Sequence, residues 1–202
     1  PSTFGSISIQ SPNDHGIYIS KQDCNGNFLW VAHAGNTIWN VYPQVGGYSI
    51  TSDNDGNVYV TGSFLNSVTF GNITLTSSGR DDLFVAKLDS SGNWVWAISV
   101  TNSISSDYGD ARGTGIVCSS DGFIYVTGRT TCETIFGTMH LTGQGSTDIF
   151  LAKLSSSGEW VNAIVAGGTN SDYSNAIDID ANNNVVIVGA YYVSQEVFGS
   201  NV

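Results

Sequence analysis

The chain repeats itself with a period of 66 residues, and this repeat constrains the fold more than any other feature of the sequence. Residues 50–100 and 116–166 are identical at 24 of 51 positions without a gap. The same period relates short motifs along the whole chain: Phe4-Gly5, Phe70-Gly71 and Phe136-Gly137; Gly26, Gly92 and Gly158; Lys21, Lys87 and Lys153. Such a repeat predicts one structural unit used several times, with each unit packed against its neighbours.

Each repeat contains four segments that are typical of β-strands, which we name strands A to D in chain order. In the second repeat, strand A is a short alternating segment around Ile50, and an Asp-Asn-Asp-Gly-Asn turn follows it. Asp-Gly and Asn-Gly supply the positive φ that a tight hairpin needs. Strand B is predicted at 58–64, strand C at 82–88 and strand D at 94–100, with a second tight turn at 89–93. About 17 residues separate B from C, and they contain a small hairpin around Phe70-Gly71.

Strand C carries apolar residues on both faces, which indicates a sheet covered on both sides. A propeller blade packed between two neighbours is such a sheet. The sequence therefore predicts an all-β fold, a β-propeller of four-stranded antiparallel blades. We place a partial first blade at 1–47, complete blades at 48–113 and 114–175, and a partial fourth blade at 176–202.

The second repeat carries DGNVYVTGSF and, after five intervening residues, FGNITLTSSGRDDLFVAKLDSSGNWVWA. This pattern resembles the SBBP-type β-propeller repeat, whose members are mostly secreted or surface-exposed bacterial proteins, with similar repeats in some large-virus proteins. In the first repeat GIYISK replaces DLFVAK, and the fourth repeat lacks the Asp-Gly turn. The resemblance implies a propeller and a surface location. It implies little about function, because the shared residues are structural.

Three repeats are fewer than the four to eight blades with which propellers close. Three arrangements would account for a propeller-like sequence with only three repeats. The chain is a fragment of a longer propeller, or two or more chains close one ring and complete each other's split blade, or the fold is a compact three-fold β-trefoil. An open stack would leave apolar faces and sheet edges exposed, which favours self-association into an oligomer or larger assembly.

Composition excludes several partners. The chain has 17 acidic and 6 basic residues, a net charge of −11 and a pI near 4.2. Nucleic acid requires a basic surface, so we expect no nucleic-acid partner. The sequence has no apolar run of the length that a transmembrane helix needs, so we expect no membrane insertion. The few charges and many Ser, Thr, Asn and Gly residues suggest an extracellular, secreted, cell-surface or virion-surface protein.

Two candidate sites lie in the repeated turns and hairpins. Asp53 and Asp55 place oxygens at alternate positions, as a calcium loop does, but no distal bidentate carboxylate follows. We therefore predict turn chemistry there, no metal site and no required cofactor, with Ca²⁺ as the alternative. Asn72 begins the sequon Asn-Ile-Thr on a hairpin and is a candidate for glycosylation.

In an up-and-down meander the tight A–B and C–D turns share one end of the sheets, and the long B–C and D–A connections share the other. Binding residues concentrate on such long loops. We predict ligand contacts there from seven residues: Trp39, Tyr42, Asp107, Tyr108, Asp110, Asp172 and Tyr173. The alternative is that these Asp and Tyr side chains anchor the loops.

Three functional classes remain open. The first is a non-enzymatic structural or binding module that mediates protein or glycan interactions on a cell, filament or virion surface. The second is a carbohydrate-binding, lectin-like propeller. The third is a secreted propeller lyase or hydrolase, which finds little support because the sequence shows no nucleophile elbow, phosphate loop or acid/base pair. We therefore expect no enzymatic activity.

Overall fold

A computed structural model describes residues 2–9, 16–35, 45–102, 109–131 and 133–192. The fold of these residues is all-β, as predicted, and none of them forms a helix that could cross a membrane. The strands are β1 (Ser2–Phe4), β2 (Ile7–Ile9), β3 (Gly16–Gln22), β4 (Phe28–Gly35), β5 (Val45–Ser52), β6 (Val58–Phe64), β7 (Ser67–Phe70), β8 (Ile73–Thr76), β9 (Asp82–Leu88), β10 (Trp94–Ser99), β11 (Thr101–Asn102), β12 (Ala111–Cys118), β13 (Ile124–Thr130), β14 (Thr134–Phe136), β15 (Met139–Leu141), β16 (Asp148–Leu154), β17 (Trp160–Ala166), β18 (Asp172–Ile179) and β19 (Val185–Tyr191).

The two complete repeats each form an antiparallel meander of four strands in the order A-B-C-D. The second sheet is β5-β6-β9-β10 and the third sheet is β12-β13-β16-β17. Among the described residues, the first repeat contributes strands C and D (β3 and β4) beside its hairpin β1–β2, and the fourth contributes strands A and B (β18 and β19). The strands thus form separate open sheets in the described residues, and none closes into the barrel on which a β-trefoil is built.

The small hairpins cross from one repeat to the preceding one. Hairpin β7–β8 lies in the B–C connection of the second repeat, but β7 pairs with β4, the D strand of the first. In the same way β14–β15 pairs through β14 with β11, which directly follows the D strand of the second repeat. The predicted unit 48–113 therefore lends its hairpin to the first sheet, a pairing that local sequence does not encode.

An aromatic ring ties each hairpin back to its own sheet. The ring centroid of Phe70 lies 5.0 Å from that of Phe84 and 4.9 Å from that of Trp94. Phe136 makes the equivalent contacts in the third repeat. Because the hairpin backbone bonds to one sheet and its Phe packs on the next, adjacent sheets interlock.

Strand A is longer at its N-terminal end than the sequence predicts. It begins at Val45, Ala111 and Asp172, before the alternating segments around Ile50, Ile116 and Ile177. A β-bulge in each strand A, as between Gly47 and Ser49, allows the earlier residues to continue pairing with strand B. The sequence does not predict this extension, because the earlier residues lack the apolar alternation that marks a strand.

The tight turns share one geometry. In each, the N–H of the first residue donates to the carbonyl of the fifth, and the N–H of the fourth donates to the carbonyl of the first. The fourth residue is a glycine with positive φ in five turns of the described residues: Gly26, Gly56, Gly92, Gly122 and Gly158. In the fourth repeat Asn183 takes this place with a φ of 62°, so the turn persists without the Asp-Gly pair.

Apolar residues pack on both faces of the second sheet, as the pattern of strand C predicts. Val60 and Phe84 face the first sheet, in a cluster with Ile19. Tyr59 and Val85 face the third sheet, in a second cluster that includes Ile124 and Val126. The core therefore lies between successive sheets.

Candidate functional site

The long connections meet at one end of the sheets, which we call the long-connection end. Parallel bridges join Asp81 to Asp110 and Thr147 to Ser171. Each bridge sets the B–C connection of one repeat beside the D–A connection that leads to the next. Of the seven predicted ligand contacts, Trp39, Tyr42, Asp107 and Tyr108 lie outside the described residues, whereas Asp110, Asp172 and Tyr173 are described.

Asp110 belongs to an ionic cluster between the second and third sheets. Arg112 Nη2 lies 2.6 Å from Asp81 Oδ2, and Arg112 Nε lies 2.8 Å from Asp110 Oδ1. Arg129 Nη2 lies 3.8 Å from Asp110 Oδ2. Burial alone would lower the pKa of Arg112, but the hydrogen bond and charge of Asp110, together with Asp81, raise it. The cluster holds the two connections together, and the carboxylate of Asp110 is paired with Arg112 and Arg129 of the same chain.

The cluster departs from the repeat. The equivalents of Asp81 and Asp110 at the next junction are Thr147 and Ser171, which carry no charge. Tyr173 lies at the equivalent of Arg112 and packs against Arg129, with the guanidinium carbon 5.5 Å from the ring centroid. Sequence reasoning missed both arginines, because the contacts of Arg112 with Asp81 and of Arg129 with Asp110 join residues that are distant along the chain. Asp110 and Tyr173 thus contact arginines within the chain, and their role in ligand binding stays a prediction.

Asp82 is buried at the long-connection end and is fully satisfied. Asn102 Nδ2 donates to Asp82 Oδ1 at 2.6 Å, and the backbone N–H of Ser78 donates to Oδ2 at 2.7 Å. Burial raises the pKa of Asp82, and these hydrogen bonds oppose the rise. The pair ties the start of strand C to the end of strand D.

We expect Asn102→Ala to destabilise the fold by about 2 kcal/mol at pH 7, because it leaves one oxygen of a buried carboxylate without a donor. Since the folded-state pKa of Asp82 is raised, its contribution to stability is lost as pH rises through that pKa. Removal of the amide raises this pKa further, so the deficit should shrink when the pH is lowered to about 4. Urea unfolding at both pH values measures it.

Asn27→Ala is the matched control, because Asn27 Nδ2 donates to the exposed carboxylate of Asp23 at 2.8 Å. Water replaces that donor, so we expect a much smaller effect at pH 7. Equal losses for the two variants would contradict the assignment of Asp82 as a buried, amide-dependent carboxylate.

Asp148 is the equivalent of Asp82 in the third repeat, and it lies beside Asp172. Both residues are 2% exposed. The carboxylate of Asp172 is therefore buried at the long-connection end, and its contact with a ligand stays a prediction. Burial raises the pKa of Asp148, and the neighbouring charge of Asp172 adds to the rise.

Asp53, the weak calcium candidate, caps its own turn. Its carboxylate accepts hydrogen bonds from the backbone of Asp55 and Asn57, from Asn57 Nδ2 at 2.8 Å and from the hydroxyl of Tyr59 at 3.0 Å. Burial would raise the pKa of Asp53, but the hydrogen bonds from Asn57 and Tyr59 lower it. Within the described ranges, no group of three or more His, Cys, Asp or Glu side chains has a metal-binding arrangement.

Asn72, the glycosylation candidate, is exposed in the turn between β7 and β8. Its position leaves the side-chain amide accessible from solvent. Whether the sequon is used stays a prediction.

The comparisons with known proteins leave the family open. No family model matches the chain, and no curated protein matches it. Among solved structures, a protein of unknown function from Bacteroides caccae aligns with 7% sequence identity and a TM-score of 0.34. The alignment covers 81% of this chain and 57% of that one, so the chain spans less than two thirds of that protein's length. The SBBP-type repeat therefore stays a prediction from the sequence.

Proposed function

We propose that the sheets are blades of a β-propeller and that the chain is a non-enzymatic structural or binding module. Two features of the described residues support the propeller. Each complete repeat is an A-to-D meander, and the A strands β5, β12 and β18 lie next to one another, as they would around a central axis. A surface location stays a prediction from composition.

The observation that carries the proposed function is that β3 and β19 are edge strands in the described residues. Within these residues, β3 pairs only with β4, and β19 pairs only with β18. Apolar side chains are exposed on these strands: Tyr18 is 61% exposed, Val186 57% and Val188 61%. Unpaired backbone together with exposed apolar side chains forms a template for pairing with another strand.

The complete repeats show which strand fits each edge. In both, strand B pairs with strand C: Thr61 lies opposite Val85, and Thr127 opposite Leu151. The equivalent residues at the open edges are Val188 in strand B of the fourth repeat and Ile19 in strand C of the first. We therefore propose a second copy of the chain as the partner, with β19 of one copy paired to β3 of the other and Val188 opposite Ile19.

Two such pairings would close a ring. The described residues of each chain supply strands C and D of one blade, two complete sheets, and strands A and B of another blade. Two chains therefore supply six sheets, which lies within the range of four to eight blades. In this arrangement each chain completes the split blade of the other, and assembly is the function proposed for the edges.

Sedimentation velocity of the 202-residue chain tests the proposal. The expected result is a species of twice the 21.4 kDa chain mass. A variant with both Val186→Lys and Val188→Lys should sediment as a monomer, because lysines on an edge strand oppose pairing. The control Val95→Lys changes a valine that is 51% exposed on β10 and should leave the dimer intact.

A monomeric wild-type chain at micromolar concentrations would overturn the second copy as partner. A dimer that survives the double lysine change on β19 would overturn the edge pairing. In either case the open edges would not be the site of self-association.

A further inference from the structure

Two buried carboxylates meet at the junction between the third and fourth repeats. Asp148 begins strand C (β16) and Asp172 begins strand A (β18), and each is 2% exposed. A β-carbon placed on Gly167 would lie 2.3 Å from Asp148 Oδ1 and 2.7 Å from Asp172 Oδ2. The two oxygens are therefore no more than about 5 Å apart by this geometry. At that distance two negative charges in a buried site repel each other strongly.

The preceding junction shows how the repeat satisfies one such carboxylate without a cation. Asp82, the equivalent of Asp148, receives the side-chain amide of Asn102. Sixty-six residues further along, Gly168 replaces Asn102 and removes that amide. At the start of strand A, Asp172 replaces Ala111 and adds a second carboxylate. The junction between the third and fourth repeats therefore has two carboxylates where the preceding junction has a carboxylate and an amide.

The hydrogen-bond donors at this junction leave one carboxylate oxygen without a partner. The N–H of Gly145 donates to Asp148 Oδ2 at 3.1 Å, and that of Gly168 to Asp172 Oδ2 at 2.7 Å. Asp172 Oδ1 is buried and has no hydrogen-bond partner. In the part of the chain that the structure describes, no Lys, Arg or His forms an ion pair with either side chain. A buried, unpaired charge of this kind requires a compensating partner.

We propose that Asp148 and Asp172 bind a divalent cation of the Ca²⁺ class. Hard cations of this class take carboxylate and backbone carbonyl oxygens in flexible geometry. Two backbone carbonyl oxygens of the D–A connection lie close to Gly145, whose N–H donates to Asp148: a β-carbon on Gly145 would lie 2.0 Å from Asn170 O and 2.7 Å from Gly168 O. The glycines let the two loops approach closely enough to share one ion.

The cation would clamp the B–C connection of the third repeat to the D–A connection that leads to the fourth. This is the junction that holds β18–β19, the half sheet with the open edge. The site does not require the proposed self-association, because Asp148 and Asp172 belong to the same chain.

Thermal unfolding of the chelator-treated protein, with and without millimolar CaCl₂ at pH 7, tests the site. We expect Ca²⁺ to raise the Tm by about 5 °C or more, since a ligand that binds only the folded state stabilises it. Asp172→Asn should abolish the Ca²⁺ response and should be more stable than wild type in chelator. The matched control Asp82→Asn, at the junction with an amide, should retain the full Ca²⁺ response.

Isothermal titration of wild type with CaCl₂ keeps the test decisive if Asp172→Asn does not fold. The expected stoichiometry is one ion per chain, and Asp172→Ala, which copies Ala111, should bind none. The absence of both binding heat and a Tm shift in wild type would overturn the proposal. If the Tm of that protein instead rises on acidification to pH 5, Asp148 and Asp172 share a proton rather than a cation. An unchanged Ca²⁺ response in both Asp172 variants would also overturn it.

Discussion

Phe84→Ala should lower the free energy of unfolding by about 3–5 kcal/mol, the largest loss we expect from a single truncation in this chain. Phe84 is fully buried in strand C of the second sheet and packs on Phe70 of the hairpin that pairs with the first sheet. Its removal leaves a cavity where two sheets and a hairpin meet, and that interlocked contact cannot collapse easily. Urea unfolding followed by tryptophan fluorescence measures the change.

Tyr18→Ala is the matched control for Phe84→Ala. Tyr18 is the equivalent residue of the first repeat and packs on Phe4 with ring centroids 4.8 Å apart, but it is 61% exposed. Truncation there removes little buried area, so we expect a loss of about 1 kcal/mol or less. If the two variants lost equal stability, the interlock of hairpin and sheet would not carry the energy assigned to it.

Gly128→Ala should cost about 3 kcal/mol or more, because the added methyl group meets backbone rather than a flexible side chain. A β-carbon on Gly128 would lie 1.9 Å from Arg112 O and 2.6 Å from the ring of Phe150. The carbonyl belongs to the bulged strand A, so the strands must separate to accommodate the methyl group. Equilibrium unfolding, with circular dichroism as the probe, measures this loss.

Gly122→Ala separates that clash from backbone strain. Gly122 has a φ of 85° in a tight turn, and a β-carbon there would meet no atom within 4 Å. The substitution should cost about 1 kcal/mol, the penalty of a left-handed conformation for an L-residue. A loss for Gly128→Ala as small as this would show that strand A relaxes away from strand B at the bulge.

For the glycine of the repeated Val-Thr-Gly motif, the sequence predicts the position but not the reason for glycine. The 66-residue spacing identifies Gly62 and Gly128 as equivalent, and it predicts that they lie near the end of strand B. The reason for glycine appears only in the fold, where the carbonyls of Gly46 and Arg112 pass over these positions. The extra residue of the bulge creates that close approach, and no local pattern announces it.

Some of the candidate sites could be predicted from the sequence and others could not. The Asp53 turn was predictable, because an Asp followed by Gly and Asn caps a turn through contacts within five residues. The cluster of Asp81, Asp110 and Arg112 was not, because it joins residues up to 31 positions apart. The pairing of Asp148 with Asp172 was also not predictable, because both lie at strand starts that meet only when the repeats stack.

The sequence by itself determined the strands, their meander order and the tight turns, because strand period, turn residues and repeat spacing act over short distances along the chain. Tertiary structure alone decided which hairpin joins which sheet and where two carboxylates become neighbours. Those features depend on backbone hydrogen bonding, burial and packing between separate repeats, and residue identity at one position does not encode them.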